Sequence, residues 1–206
     1  MFAKGSKMKR DLYFSLDVET DGPIPGPHSM RQVGLAAFFL TGTPEWKDVE
    51  GKGISPLLAH FGRNLLPLPA ASPHPDTLKW WTEENPDIWT RIQMNAVSPD
   101  MGMYALVGWV DQMCKNFDAR PVCVAYPATF DFMFLYWYLI KFMGASPFGF
   151  QGLDMKTLAM VKMKTSFRNV SKRTMPKEWF GQEKHTHDAV DDAIEQGWMF
   201  CRMMKS

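Results

Sequence analysis

The sequence predicts an α/β domain built on a mixed five-stranded sheet flanked by helices. Three observations carry that expectation. Apolar strand-like runs come first, through about residue 40, with a proline-rich turn between them. Strand-like and helix-like segments then alternate toward the C-terminus. At 206 residues the chain is long enough for one domain with a sizeable core. A meander followed by alternation puts antiparallel and parallel pairs into one sheet, with helices on both faces.

Taken in order, residues 1–10 read as a basic lead-in with Lys4, Lys7, Lys9 and Arg10, and 11–206 as a single domain with a variable insertion over about 41–100. Leu12 to Glu19 is the first strand: Leu, Tyr and Phe favour it, and Asp21-Gly22-Pro23 stops it. Pro23, Pro25 and Pro27 stiffen the turn that follows. Gln32 to Leu40 is a second strand, and Trp46 to Ile54 a third. Residues 55–75, rich in Pro and Leu without a period, read as a loop or insertion. Asp76 caps a helix from Thr77, and Pro86 opens another that runs to about Met94. Asp100 starts a long amphipathic helix in which Met103, Leu106, Val107, Val110, Met113 and Cys114 recur at spacings of three and four. Pro121 to Tyr126 is a fourth strand. Phe130 to Met143 is a core helix ended by Gly144, and Gly152 to Met155 is a short fifth strand leading into a helix to about Met163. A polar, basic stretch over 164–186 precedes the last helix, His187 to Met204.

The net charge of +1 gives no global attraction to nucleic acid or to a membrane surface, so only local patches can supply one. Phe130 to Phe142 is strongly apolar but contains Asp131 and Lys141 and is too short to span a bilayer. Cys114, Cys123 and Cys201 lack any Cys-x-x-Cys spacing and read as reduced core thiols. No apolar stretch marks a signal peptide before Asp11, and a cytoplasmic setting is expected.

The first strand carries an electrostatic problem. Side chains alternate along a strand, so Asp17 and Glu19 share one face. Two carboxylates at the end of an apolar strand repel and desolvate each other unless a cation lies between them, and a divalent metal is the simplest such cation. Two later places offer further ligands. Asp131 opens an apolar helix just after a strand, where the helix dipole favours an anion and α/β sheets bind ligands. By itself it reads as a helix-start residue. His185-Thr186-His187-Asp188-Ala189-Val190-Asp191-Asp192 precedes the last helix. Asp188 and Asp191 read there as cap and solvent face. Asp192, beside Ala189 and Ala193, lies on a face in close contact with something.

Asp-x-Glu alone is common. Asp17-x-Glu19, then Phe130-Asp131-x-x-Phe134-Leu135, then His187-x-x-x-x-Asp192, in this order within one domain, resembles the DEDD exonuclease superfamily in its histidine branch, DEDDh. That branch includes ribonuclease T, oligoribonuclease and proofreading subunits. The tyrosine branch would need Tyr at position 188, where this chain has Asp188. His185 does not replace His187, because five residues beyond it lies Val190. The resemblance spans about residues 11–202. It departs from the pattern at Tyr126-Pro127-Ala128, where many relatives carry Asn or His with small polar residues.

The resemblance implies a ribonuclease H-like fold and a metal-dependent 3′–5′ exonuclease acting on single-stranded RNA or DNA with a free 3′ end, releasing nucleoside 5′-monophosphates. It implies two divalent ions, Mg²⁺ or Mn²⁺, about 4 Å apart. Asp17 would bridge both. Glu19 and Asp192 would hold the ion beside the attacking water, Asp131 would act mainly through water or on the second ion, and His187 would be the general base. Thr20, Gly22 and Phe130 are the expected contacts to the terminal nucleotide. Lys172 and Arg173 are the expected contacts to the strand, from a basic segment interleaved with Phe167, Trp179 and Phe180. His28, His60 and His74 read as surface or packing residues. A Thr77-Leu78-x-Trp80-Trp81 segment similar to one in bacterial exoribonucleases tilts the expectation toward RNA, with at least one tryptophan pointing inward. A homodimer is expected from the family only. The alternatives are a non-catalytic nucleic-acid-binding module on the same fold and a phosphodiesterase for short oligonucleotides.

Overall fold

The computed structural model describes residues 10–40, 56–182 and 185–206. Its sheet has the order β3-β2-β1-β4-β5. The strands are β1 (Arg10–Thr20), β2 (Met30–Phe38), β3 (Leu57–Asn64), β4 (Ala119–Ala125) and β5 (Gly152–Asp154). β1 and β2 pair antiparallel, as do β2 and β3, whereas β4 and β5 run parallel to β1. Among the described residues there are six α-helices: α1 (Pro75–Lys79), α2 (Pro86–Gln93), α3 (Pro99–Phe117), α4 (Ala128–Met143), α5 (Met155–Met163) and α6 (Ala189–Lys205).

Several boundaries differ from those expected. The basic lead-in lies outside the described residues except Arg10, which already belongs to β1. The strand expected over Trp46–Ile54 also lies outside them. The stretch read as a loop over 55–75 contains β3, whose pairing with β2 (Leu35 opposite Phe61) supplies what its mixed, non-periodic sequence does not. Asp76 is not a cap: α1 starts at Pro75, and Asp76 lies in its first turn. α3 ends where Asp118 turns left-handed at φ 45, and α4 where Gly144 does so at φ 74.

Alternation along β1 sorts the two layers. Leu12, Phe14, Leu16 and Val18 are buried toward α3 and α4, joined by Met103, Leu106, Val110, Phe134 and Leu135. Tyr13 and Asp17 face α6, where Tyr13 packs on Phe200 and Asp17 meets Gln196. α6 lies unusually close to the sheet. A Cβ at Gly34 would run into the carbonyl oxygen of Ala189, and one at Gly197 into the Phe38 ring. Gln32 pins the helix start: its amide oxygen accepts from Ala189 N at 2.9 Å and its nitrogen donates to Asp188 at 3.2 Å. This approach carries α6 over the C-terminal end of β1.

Candidate active site

Three segments meet at that end of the sheet. β1 presents Asp17 and Glu19 side by side, and its register with β2 shifts between Glu19 and Thr20. α4 begins where parallel β4 ends, so Asp131 in its first turn reaches β1, where its Oδ1 accepts the Val18 N–H at 3.2 Å. α6 delivers Asp192 one turn in, fully buried. Carboxylate oxygens of Asp17, Glu19 and Asp192 lie within 4.8 Å of one another. Asp131 stands close behind them, near enough for its charge to act on both β1 carboxylates.

The charges show how these groups crowd. Burial, then the charges of Asp131 and Asp192, push the Asp17 carboxyl well above its ordinary range. Burial, then Asp17 and Asp192, do the same to Glu19. Burial raises Asp131 to about 7 even though the Val18 N–H favours its ionised form. An all-oxygen cluster in which burial and mutual repulsion disfavour the charges of Asp17, Glu19 and Asp131 is suited to a hard divalent cation, which would relieve the repulsion; Asp17, Glu19 and Asp192 are the residues placed to hold it, with Asp131 at its margin.

His187 sits beside this cluster on the loop entering α6, with a left-handed backbone at φ 58. Asp192 orders that loop: its two oxygens accept the backbone N–H groups of Thr186 (2.8 Å) and His187 (3.1 Å). Burial and the neighbouring His185 charge lower the His187 pKa, which favours the neutral imidazole. Asp188 caps α6 by accepting from Val190 N, and Asp191 accepts from the Thr186 hydroxyl, in line with their expected cap and surface roles.

Other expected residues are placed as follows. Thr20 is buried, its hydroxyl donating to Gly22 O at 2.9 Å. At Gly22 a Cβ would run into the His28 ring. His28 accordingly packs over the turn, with Nδ1 2.8 Å from Ser72 O. Phe130 is half-buried against Phe134. Lys172 is engaged by Glu195 at 2.7 Å, so its charge is already partnered, whereas Arg173 is exposed. Asp21, expected only to end the strand, is fully buried and closes the turn by accepting from Ser29 N at 2.6 Å.

Sequence reasoning missed four participants. His185, set aside on spacing, places Nδ1 2.8 Å from Asp192 and 3.6 Å from Glu195; hydrogen bonds to these two carboxylates raise its pKa to about 9. Glu195 links it to Lys172. Gln196 donates to Asp17 at 2.7 Å and accepts from Tyr126 N at 3.0 Å, tying the first motif to the end of β4. Trp80 meets the His187 ring edge-on. For Glu195 and Gln196 a signal was available, since they lie three and four residues after Asp192 on the same helix face.

No protein-family model matches the chain. A curated relative, the 3′-5′ DNA exonuclease Cap18 of Escherichia coli, is 26% identical over 191 residues, covering 93% of this chain and 90% of the relative. Among solved structures, the nuclease domain of 3′hExo, a DEDDh family member bound to rAMP, superposes with a TM-score of 0.62 at 9% identity, over 95% of this chain and 91% of that one. The S. pombe Pop2p structure with Mg²⁺ and Mn²⁺ bound gives 0.59 at 14% identity, over 96% and 83%. E. coli Exonuclease I in complex with a dA16 oligonucleotide gives 0.57 at 10% identity, over 95% of this chain and 41% of that one. The chain thus shares the ribonuclease H-like fold with these structures and is similar, over nine-tenths of both chains, to a 3′-5′ DNA exonuclease.

Proposed function

We propose that this chain hydrolyses the 3′-terminal phosphodiester bond of a single strand, releasing nucleoside 5′-monophosphates, with two divalent ions held by Asp17, Glu19, Asp131 and Asp192. The observation that carries the reading is the meeting of three carboxylates within 4.8 Å, a fourth behind them and a histidine alongside, all at one sheet end. When bound, Mg²⁺ or Mn²⁺ would supply the positive charge that the transition state and leaving oxygen require. The protein's own contributions are distinct. Gln196 fixes the orientation of Asp17. Asp192 sets the His187 loop through two backbone N–H groups. His187, neutral because burial and His185 disfavour its charge, takes the proton of the attacking water. Exposed Arg173 attracts the strand by neutralising phosphate.

The relative named as a DNA exonuclease supports a DNA strand, against the RNA preference that the tryptophan pair suggested. Of that pair, Trp81 is buried and Trp80 packs on His187. The test is digestion of matched 3′-labelled DNA and RNA strands with Mg²⁺ or Mn²⁺. The expected result is metal-dependent release of mononucleotides, faster from DNA, with Asp17→Ala inactive. A wild type no faster than Asp17→Ala on either strand would remove the enzymatic reading in favour of a binding module. A steep preference for dinucleotides would replace the long strand by short oligonucleotides.

A further inference from the structure

Resting on that function, we propose that Trp80 is a positioning residue which holds the His187 imidazole in place for the reaction. The His187 ring is contacted from two sides. The His185 ring lies 4.4 Å away at 75°, and the Trp80 ring 4.9 Å away at 89°, an edge-to-face contact. The His185 side is anchored through Asp192. The Trp80 side is anchored by a separate aromatic stack.

That stack begins with an irregularity. After α1 the chain widens into a π-helical turn over Trp80–Glu84, a rare feature that is frequent at functional sites. Its two tryptophans take different roles. Trp81 is buried, its indole N–H donates to Thr20 O at 2.8 Å, and its ring stacks on Trp89 at 5.4 Å and 23°. The Arg31 guanidinium lies 4.9 Å over Trp89 and faces buried Asp21 at 3.8 Å. Trp80 rests edge-on against Trp81 at 4.6 Å and remains half-exposed, turned to His187. The support therefore runs from the end of β1, through Thr20 and Asp21, to the wall that His187 leans on. A histidine on a loop with a left-handed backbone needs such a wall: without it the imidazole is held from the His185 side alone, and a misplaced base loses rate while metal and strand still bind.

The test combines kinetics with a measurement that needs no turnover. Trp80→Ala is expected to lower kcat by about 10²-fold with KM within about twofold, and Trp80→Phe, which keeps an aromatic wall, to recover most of it. In a His187→Ala background, Trp80→Ala is expected to change the residual rate by less than about twofold, because it acts through His187. NMR of the five histidines should show the His187 ring resonance, assigned from His187→Ala, moving in Trp80→Ala through loss of the indole ring current. A rise in KM at constant kcat, which marks a base-stacking platform, would overturn the proposal. So would independent, multiplicative losses from the two substitutions, or an unmoved His187 resonance. An inactive wild type would defeat the exonuclease function instead, and the NMR comparison would still decide where the His187 ring is held.

Discussion

Asp131→Asn reads the electrostatics of the acidic cluster without requiring turnover. Asp131 is 4% exposed, and burial raises its pKa from the ordinary 3.8 to about 7. The folded chain thus holds this proton more tightly than the unfolded chain. Below about pH 4 both states are protonated and nothing is lost. As pH rises from about 4 through about 7 the unfolded state ionises first, and the folded state loses stability. At 1.36 kcal/mol per pKa unit, the full loss above about pH 7 without metal is about 4 kcal/mol. Asparagine keeps an oxygen for the Val18 N–H and carries no charge. Metal-free Asp131→Asn is therefore expected to match wild type near pH 4 and to be more stable near pH 8, by about 4 kcal/mol at most. In a chain of this size that is a rise in Tm on the order of 10 °C. Thermal and urea unfolding in chelator across this pH range measure the difference. Adding Mg²⁺ should then stabilise wild type more than the variant. A variant no more stable than wild type near pH 8, or one with an unchanged pH slope, would refute the reasoning.

The remaining predictions concern individual roles. His187→Ala should reduce kcat by about 10²–10⁴-fold with metal affinity by calorimetry nearly unchanged, whereas Asp192→Asn should weaken metal binding; equal loss of metal in both would reject that division. Gln196→Ala leaves Asp17 and Tyr126 N without their partner, and should lower stability by about 2 kcal/mol in urea unfolding; an unmoved midpoint would show that the bridge contributes nothing. Arg173→Ala should reduce the salt dependence of strand binding by about one released counterion, whereas Lys172→Met, removing a charge already engaged by Glu195, should leave the slope nearly as it is. The reverse pattern would place Lys172, not Arg173, on the strand.

The degree to which the architecture was legible varies with the range of the forces involved. β1 announced itself, and its period of two put Asp17 and Glu19 on one face without any structure. The alanines flanking Asp192 marked a helix face in close contact, and that face lies on the sheet. β3 was invisible because Leu57–Asn64 mixes His60, Arg63 and Asn64 into an edge strand, and its partner β2 does the specifying. The space beside Gly22 is filled by the His28 ring, a contact that the turn chemistry alone does not reveal. His185 was set aside by a spacing rule that is correct for His187 but carries no information about which other side chain reaches Asp192.

The sequence by itself determined the first two strands, the shared face of Asp17 and Glu19, and the helix starts near Asp131 and Asp192. These follow from alternation, helical period and turn chemistry, which act over a few residues. Only the tertiary structure decided how closely α6 approaches β2, and hence that Asp192 reaches the β1 carboxylates. It also decided that Gln196 bridges β1 and β4, and that Trp81 enters the core while its neighbour Trp80 faces His187. Those outcomes depend on packing between segments separated by as many as 179 positions, and on a π turn that local propensity does not encode.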